Sequence, residues 1–205
     1  MENIFTDAKG YKSWYERHAT IYESEKRLVS SFRLKDCIDI GSGPGIFHEV
    51  IEGRKVSIDS SIFMLKEITG YDEDRILAHA LYLPIRDNAV ECSFISVTIC
   101  FVEDPEKLLK EAMRVSRKRL VVCFIPKDSE YGKYYEELGK KGHKYYSRAK
   151  FITKQDIKNY LKEFRMSKIR STLFGKPGDD AKIEELRDND QGSFVCLEVI
   201  KSQIS

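Results

Sequence analysis

The stretch Asp39-Ile40-Gly41-Ser42-Gly43-Pro44-Gly45-Ile46-Phe47 decides the fold. It follows the apolar segment Cys37–Ile40, which we interpret as a buried strand, and it opens residues 45–51, which suit a helix. Glycines let the backbone turn sharply and let a ligand approach the main chain. In open α/β sheets, ligands bind at such turns, where a helix N-terminus offers free N–H groups. The stretch therefore predicts a ligand-binding loop.

The glycine spacing distinguishes two kinds of cofactor. The dinucleotide fingerprint is GxGxxG, whose third glycine lets strand and helix pack closely, whereas Ile46 occupies that position here. The carboxylate of Asp39, two residues before the first glycine, would repel a pyrophosphate but would suit a ligand with an ammonium group and a sulfonium. S-adenosylmethionine carries both groups. Asp59, 18 residues after Gly41, can accept both ribose hydroxyls, a feature shared with NAD sites. The alternative is a glycine turn without a ligand.

Apolar, β-rich segments alternate with helical ones along the chain. Residues 7–33 predict two helices, and further helices are predicted at 45–51, 62–69, 105–116 and 153–164. Strands are predicted at 37–40, 55–58, 75–78, 92–97, 120–125, 166–174 and 194–201. Alternating strands and helices imply a mostly parallel sheet with helices on both faces. The linker at 175–192 is short and polar, which favours a closing antiparallel pair.

Four segments in this order carry a family resemblance: residues 37–47, 59–65 (Asp-Ser-Ser-Ile-Phe-Met-Leu), 80–85 (Ala-Leu-Tyr-Leu-Pro-Ile) and 90–115. Together they resemble the class I S-adenosylmethionine-dependent methyltransferases, in particular the small group that includes the ubiquinone and menaquinone biosynthesis type. The resemblance implies an α/β, Rossmann-like three-layer sandwich with a seven-stranded sheet and an antiparallel last strand. It also implies that S-adenosylmethionine contacts Asp39, Gly41, Ser42, Gly43, Gly45, Asp59, Ser60, Met64, His79, Ala80, Leu81, Val97 and Thr98.

Two departures from the family pattern bear on function. His79 stands where the family usually has an Asp that accepts from the adenine amino group, and a neutral imidazole nitrogen can also accept. The alternative is an exposed loop histidine. After the fourth strand the chain has Ser96-Val97-Thr98-Ile99 instead of the Asn/Asp-Pro-Pro-Tyr tetrad of methyltransferases that act on base or amide nitrogens. Adenine-N6 and glutamine acceptors are therefore disfavoured.

Aromatic residues cluster in two segments outside these motifs, and in related methyltransferases these segments cover the pocket mouth. The residues predicted to contact the acceptor are Tyr11, Trp14, Tyr15, Tyr134 and Tyr145. His18 and His143 are candidate general bases, or alternatively solvent-exposed histidines, since methyl transfer often works by alignment alone. The basic, aromatic run at 140–148 predicts either stacking on RNA bases or a helix end or lid over the pocket.

Composition limits the remaining possibilities. The net charge of +2 does not favour a nucleic-acid partner, and the 33% of charged residues is typical of proteins from hot environments. The N-terminus lacks an apolar signal region and no run is long enough for a membrane span, so we expect a cytoplasmic protein. Most cysteines lie in apolar runs, so we expect buried, reduced thiols and no metal site: Cys37, Cys92, Cys100, Cys123 and Cys196.

We interpret residues 1–205 as a single methyltransferase domain with a helical cap (1–33), a cofactor-binding half (34–125) and a substrate-side half (126–205). The predicted reaction is methyl transfer from S-adenosylmethionine to a small-molecule acceptor. The alternatives are a tRNA or protein acceptor, or a non-catalytic scaffold that binds the cofactor. A fourth alternative, an NAD-dependent oxidoreductase, is opposed by Ile46. The acceptor atom and the oligomeric state are left open.

Overall fold

A seven-stranded sheet forms the centre of the molecule in the computed structural model, which describes residues 4–70, 73–178 and 182–201. The strands are β1 (Leu34–Lys35), β2 (Cys37–Ile40), β3 (Ile51–Glu52), β4 (Lys55–Asp59), β5 (Glu73–Leu77), β6 (Val90–Ser96), β7 (Ser116–Phe124), β8 (Arg165–Thr172) and β9 (Phe194–Ile200). The helices are α1 (Ala8–Arg17), α2 (Ala19–Ser30), α3 (Ile62–Lys66), α4 (Pro105–Val115), α5 (Glu130–Lys140) and α6 (Lys154–Tyr160). Among these described residues, no helix is both long and apolar enough to cross a bilayer.

The strand order in the sheet is β5-β4-β2-β6-β7-β9-β8. The first five strands of this order are parallel, and β9 is antiparallel to both of its neighbours. This arrangement confirms the predicted Rossmann-like sheet with an antiparallel last strand. The chain moves from β2 outward to β4 and β5 and then returns to β6, so the strand order reverses between β2 and β6. Ligands bind outside the carboxyl ends of the strands at such a reversal.

Alternating side chains of the strands face two hydrophobic cores. Leu120 and Val122 of β7 pack in one core with α4 and α6, while Val121 and Cys123 pack in the other core with α2 and α5. Successive side chains of a strand point to opposite faces, so the sheet is covered on both sides. The start of α4 is as predicted, since the side chain of Asp104 accepts from the N–H of Lys107 at 2.9 Å.

The helix predicted at 45–51 is wrong. The glycine loop leads into a short 3-10 turn at His48–Val50 and then into β3, which pairs with β1 in a separate two-stranded sheet. The helix expected over 62–69 is also shorter, since α3 spans Ile62–Lys66. The loop therefore has no α-helix N-terminus behind it, and its support comes from side chains described below.

The expectation of reduced thiols is wrong for four of the five cysteines. Two disulfides join Cys37 to Cys92 and Cys123 to Cys196, and Cys100 is free and buried. Each disulfide joins residues that are directly opposite in neighbouring strands, β2 with β6 and β7 with β9. The predicted burial is confirmed, since each of the five is at most 4% exposed. The pairing depends on strand register, which cysteine spacing alone does not reveal.

The two disulfides predict the number of thiols that alkylate. After unfolding in denaturant without reductant, iodoacetamide should modify one cysteine per chain, Cys100, and all five after reduction. Intact-mass spectrometry counts the modifications. A Cys100→Ser variant is the control and should take up none without reductant. Five modifications of the unreduced wild-type protein would contradict the disulfides.

Candidate active site

The glycine loop forms a cradle at the carboxyl end of β2. Gly41, Gly43 and Gly45 adopt positive φ angles of +70°, +55° and +76°, a region that favours glycine. A Cβ atom at Gly41 would lie 2.3 Å from Thr98, and one at Gly45 would lie 2.6 Å from the His48 ring. A Cβ at Gly43 would meet no atom within 4 Å, because this residue faces open space. The loop is thus packed closely at both ends and open at its middle.

The carboxylate of Asp59 joins the end of β4 to this loop. One oxygen accepts from the backbone N–H of Gly43 at 2.9 Å, and the other accepts from Ser61 N–H at 2.8 Å. Burial raises the pKa of Asp59 against the opposing effect of these hydrogen bonds. The side chain is therefore held in one orientation beside the loop, where it lines the main cavity.

The buried residue His48 packs against the glycine loop and bonds to two carboxylates. Nε2 of His48 lies 3.0 Å from the Asp39 carboxylate and Nδ1 lies 3.0 Å from that of Glu73. Burial lowers the pKa of His48, but the two carboxylates outweigh this effect and the pKa is raised overall. The imidazolium bridges β2 and β5, and it occupies the space into which a side chain at Gly45 would project.

Two adjoining cavities lie at the strand reversal. Nine predicted cofactor residues line the larger one, which we call the main cavity: Gly41, Gly43, Asp59, Ser60, Met64, His79, Ala80, Val97 and Thr98. Its other lining residues are Phe5, Tyr11, Ala78, Ser96, Phe101 and Val102. The smaller cavity is lined by Asp39 and Ser42 together with Gly41, Gly43, Tyr11, Tyr15, Ile46, Phe47 and Ser96.

Two predicted cofactor residues lie elsewhere. The side chain of Leu81 is 1% exposed within the hydrophobic core, and its backbone N–H donates to Nδ1 of His79 at 3.2 Å. Gly45 lines a separate cavity next to Lys12 and Glu16. Asp39 is at the smaller cavity, but one of its carboxylate oxygens is already engaged by His48.

The predicted acceptor residues are only partly brought together. Tyr11 and Tyr15 line the smaller cavity, and Tyr145 stacks on the Phe5 ring at 5.4 Å, behind the wall of the main cavity. Trp14 stacks on His18 at 4.2 Å, and Tyr134 is 45% exposed at the surface. Neither Trp14 nor Tyr134 is among the residues lining the two cavities within the described chain.

Both predicted general bases have local partners away from the cavities. Nδ1 of His18 lies 2.7 Å from the Trp14 carbonyl, at the junction of α1 and α2. Nδ1 of His143 lies 3.3 Å from the backbone nitrogen of Tyr145, and its ring stacks on Tyr146 at 4.4 Å. Burial lowers the pKa of His143. Neither histidine is among the described residues that line the two cavities.

Sequence reasoning missed three polar residues near the cavities. Ser96 ends β6 at both cavities, and its buried Oγ has no hydrogen-bond partner among the described residues. His48 was not predicted to support the loop, because the residues after the glycine loop were expected to form a helix. Glu25 is buried on α2, and the signal for it was present, since it is the acid within the apolar stripe of Ile21, Leu28 and Val29.

Comparison with known proteins identifies the family. The sequence model of the family described as "Methyltransferase domain" matches residues 38–124. An uncharacterized protein of Methanocaldococcus jannaschii is 30% identical over 97% of this chain and 99% of its own length. A crystal structure from Thermotoga maritima, described as an S-adenosylmethionine-dependent methyltransferase and "possible histamine N-methyltransferase", is 28% identical with a TM-score of 0.89, covering 98% of this chain and 100% of that one. The chain belongs to the class I S-adenosylmethionine-dependent methyltransferases.

This methyltransferase shares its fold with relatives whose structures contain the cofactor product. Magnesium protoporphyrin IX methyltransferase from Synechocystis, with S-adenosylhomocysteine bound, is 15% identical with a TM-score of 0.61, covering 91% of this chain and 84% of that one. The main cavity of the methyltransferase fits S-adenosylmethionine on its own geometry. Gly43 leaves open the space that a side chain would fill, and Ser96 lines the cavity with a buried Oγ that has no hydrogen-bond partner among the described residues.

Removing the His48 imidazole should destabilise the methyltransferase. In His48→Ala, the carboxylates of Asp39 and Glu73 remain buried without a cation, and breaking a buried pair costs about 3 kcal/mol or more. Denaturant unfolding near pH 6 measures the difference, with Glu52→Ala, an exposed residue of the following strand β3, as the control. Because the folded-state pKa of His48 lies above its ordinary 6.5, the charge contribution is complete below 6.5 and is lost as pH rises through the raised value. The difference should therefore shrink at pH 9, and a difference that grows with pH would contradict this account.

Proposed function

We propose that the methyltransferase transfers the methyl group of S-adenosylmethionine to a small-molecule acceptor bound under its N-terminal helices. The cofactor supplies an electrophilic methyl group on a sulfonium. The observation that supports a small acceptor is the aromatic roof, formed by Phe5 and Tyr11 over the main cavity. The protein's own contribution is to bind, align and shield the reacting groups.

We assign the cofactor contacts by the chemistry of each cavity wall. The Asp59 carboxylate would accept the ribose hydroxyls, since its orientation is fixed by Gly43 and Ser61. Met64, His79 and Ala80 would border the adenine, with Nδ1 of His79 already occupied by the Leu81 N–H. The methionine end would extend toward the smaller cavity, where Asp39, Ser42 and Ser96 provide polar groups.

The roof residue Phe5 and the adjoining helix α1 contact several other parts of the chain. The Phe5 ring packs edge-on against Phe101 at 5.0 Å, and its carbonyl accepts from the Ser61 hydroxyl. Lys12 Nζ donates to the carbonyl of Glu67 at 2.6 Å. Aromatic residues over the cavity would exclude water from the sulfonium and would suit a small molecule better than a folded polymer.

An RNA acceptor is less well supported. The rings of Tyr145 and Tyr146, which could stack on bases, already pack against other rings of the protein: Tyr145 on Phe5 at 5.4 Å and Tyr146 on Tyr135 at 4.2 Å. The net charge of +2 also gives little attraction for a polyanion. The Thermotoga relative is described as a "possible histamine N-methyltransferase", and histamine is a small molecule, which agrees with a small-molecule reaction.

Asp59→Ala should weaken cofactor binding. Loss of hydrogen bonds to a charged group corresponds to about 1.5–3 kcal/mol, so we expect the Kd for S-adenosylhomocysteine to rise roughly tenfold to hundredfold. Isothermal titration calorimetry measures the change. The control is Asp74→Ala, which removes an exposed carboxylate from the neighbouring strand β5. This carboxylate pairs with Arg54, and the variant should bind S-adenosylhomocysteine normally. An unchanged affinity of a folded Asp59→Ala protein, or tight NAD binding by the wild type, would overturn the assignment.

Transfer of a labelled methyl group tests the acceptor class. The methyltransferase should label compounds in a small-molecule extract and leave purified RNA and unfolded protein unlabelled. The matched control is Gly43→Leu, which fills the cavity space open in the wild type and should label nothing. Labelling confined to RNA or protein would contradict the small-molecule proposal while retaining the methyltransferase activity.

A further inference from the structure

His79 is the polar side chain in the part of the main cavity where we place the adenine. Its neighbours in the cavity lining are Met64, Ala78 and Ala80, whose side chains carry no nitrogen or oxygen. Among the described residues that line this cavity, Asp59 has the one carboxylate, and that group is assigned to the ribose. The imidazole is therefore the side chain best placed to recognise the polar edge of the base.

The backbone behind His79 fixes the orientation of its ring. Nδ1 of His79 accepts the N–H of Leu81 at 3.2 Å, and the carbonyl of His79 accepts the N–H of Tyr82 at 3.0 Å. Leu81 is anchored, since its side chain is 1% exposed within the hydrophobic core. The N–H of Leu83 donates to the carboxylate of Glu111 at 3.0 Å, which holds the same turn to α4. The core thus orients the imidazole, although His79 itself is exposed.

The hydrogen bond from Leu81 decides which nitrogen of the neutral ring carries the proton. A nitrogen that accepts an N–H uses its lone pair and bears no hydrogen, so the proton of neutral His79 is on Nε2. The two nitrogens lie on different sides of the ring, and Nε2 therefore points away from the Leu81 N–H. The neutral ring can donate one hydrogen bond to a ligand and has no lone pair left to accept one.

The polar atoms of adenine differ in the hydrogen bonds that they form. The ring nitrogens N1, N3 and N7 accept, whereas the amino group at position 6 donates. An Nε2–H group can pair with a ring nitrogen, but it would face the amino group hydrogen to hydrogen. A carboxylate at the same position would do the reverse, because it can only accept.

We propose, on the basis of the proposed cofactor placement, that His79 recognises the base of S-adenosylmethionine by donating its Nε2 hydrogen to a ring nitrogen of adenine. The side chain then makes no hydrogen bond to the amino group at position 6. His79 acts as a binding residue that determines which base is accepted, and the methyl transfer itself needs no contribution from it.

Calorimetry with analogues of S-adenosylhomocysteine tests this contact atom by atom. Three analogues each replace one ring nitrogen, N1, N3 or N7, by C–H, and a fourth lacks the 6-amino group. Loss of a hydrogen bond between neutral groups corresponds to about a threefold to tenfold rise in Kd, which we expect for His79→Ala with S-adenosylhomocysteine. The wild type should lose the same factor with one ring analogue, and His79→Ala should lose nothing further with that analogue. For the analogue without the amino group, the factor caused by His79→Ala should be unchanged.

Replacement by an acceptor provides the reciprocal test. His79→Asp carries no hydrogen to donate, so it should lose the discrimination between the ring analogues that the wild type shows. It should instead bind S-adenosylhomocysteine more tightly than the analogue without the amino group. Asp74→Ala, on the strand that leads to His79, is the control and should match the wild type with every analogue.

Nuclear magnetic resonance of the free protein determines the tautomer without any ligand. Two-bond proton–nitrogen correlation spectra distinguish a protonated imidazole nitrogen from an unprotonated one, and the signals missing from His79→Ala identify His79 among the four histidines. In alkaline buffer, Nε2 should carry the hydrogen and Nδ1 should not. Hydrogen on Nδ1 would overturn the inference.

The binding data contradict the inference in three cases. These are an unchanged Kd in His79→Ala, an effect of His79→Ala that is equal for all three ring analogues, and an effect that disappears with the amino group. If Asp59→Ala still weakens binding in such a case, the cofactor placement stands and only the role of His79 fails. If neither Asp59→Ala nor His79→Ala changes the Kd, both fail.

Discussion

The hydrogen bond from the Gly43 N–H to the Asp59 carboxylate is the interaction on which the site depends. It ties the loop after β2 to the end of β4, at 2.9 Å, and holds the middle of the glycine loop open toward the cavity. No α-helix begins behind the loop, so its N–H groups are not organised by a helix N-terminus. The Asp59 carboxylate substitutes for that support, and it lines the main cavity.

The charges around the site follow a single pattern. Asp39 and Glu73 are both bonded to the His48 ring, whereas Asp59, which lines the main cavity, forms no ion pair among the described residues and accepts backbone N–H groups. A sulfonium cofactor would be attracted to the Asp59 carboxylate, while a polyanion would be repelled.

Much of the fold could be predicted from the sequence, because strands and long helices depend on local periodicity. The glycine spacing, the strand ending at Asp59 and the Asp104 cap all have local physical causes. The rest depends on contacts between distant segments. The 45–51 region is not an α-helix in the structure, and its His48 is held by Glu73, 25 residues away, while the disulfides depend on strand register. His18 and His143 were predicted from their residue type and from the segments they occupy, and neither lines either cavity among the described residues, because local partners hold both rings.

A crystal structure of the methyltransferase with S-adenosylhomocysteine tests the central claim most directly. The account predicts the ribose hydroxyls within hydrogen-bonding distance of both Asp59 oxygens, with the bound molecule passing over Gly43 in the space that is open there. The hydrogen bond from the Gly43 N–H to the Asp59 carboxylate should be retained in this complex. A ligand bound away from Asp59, or an Asp59 carboxylate turned away from Gly43 when the ligand is present, would contradict it.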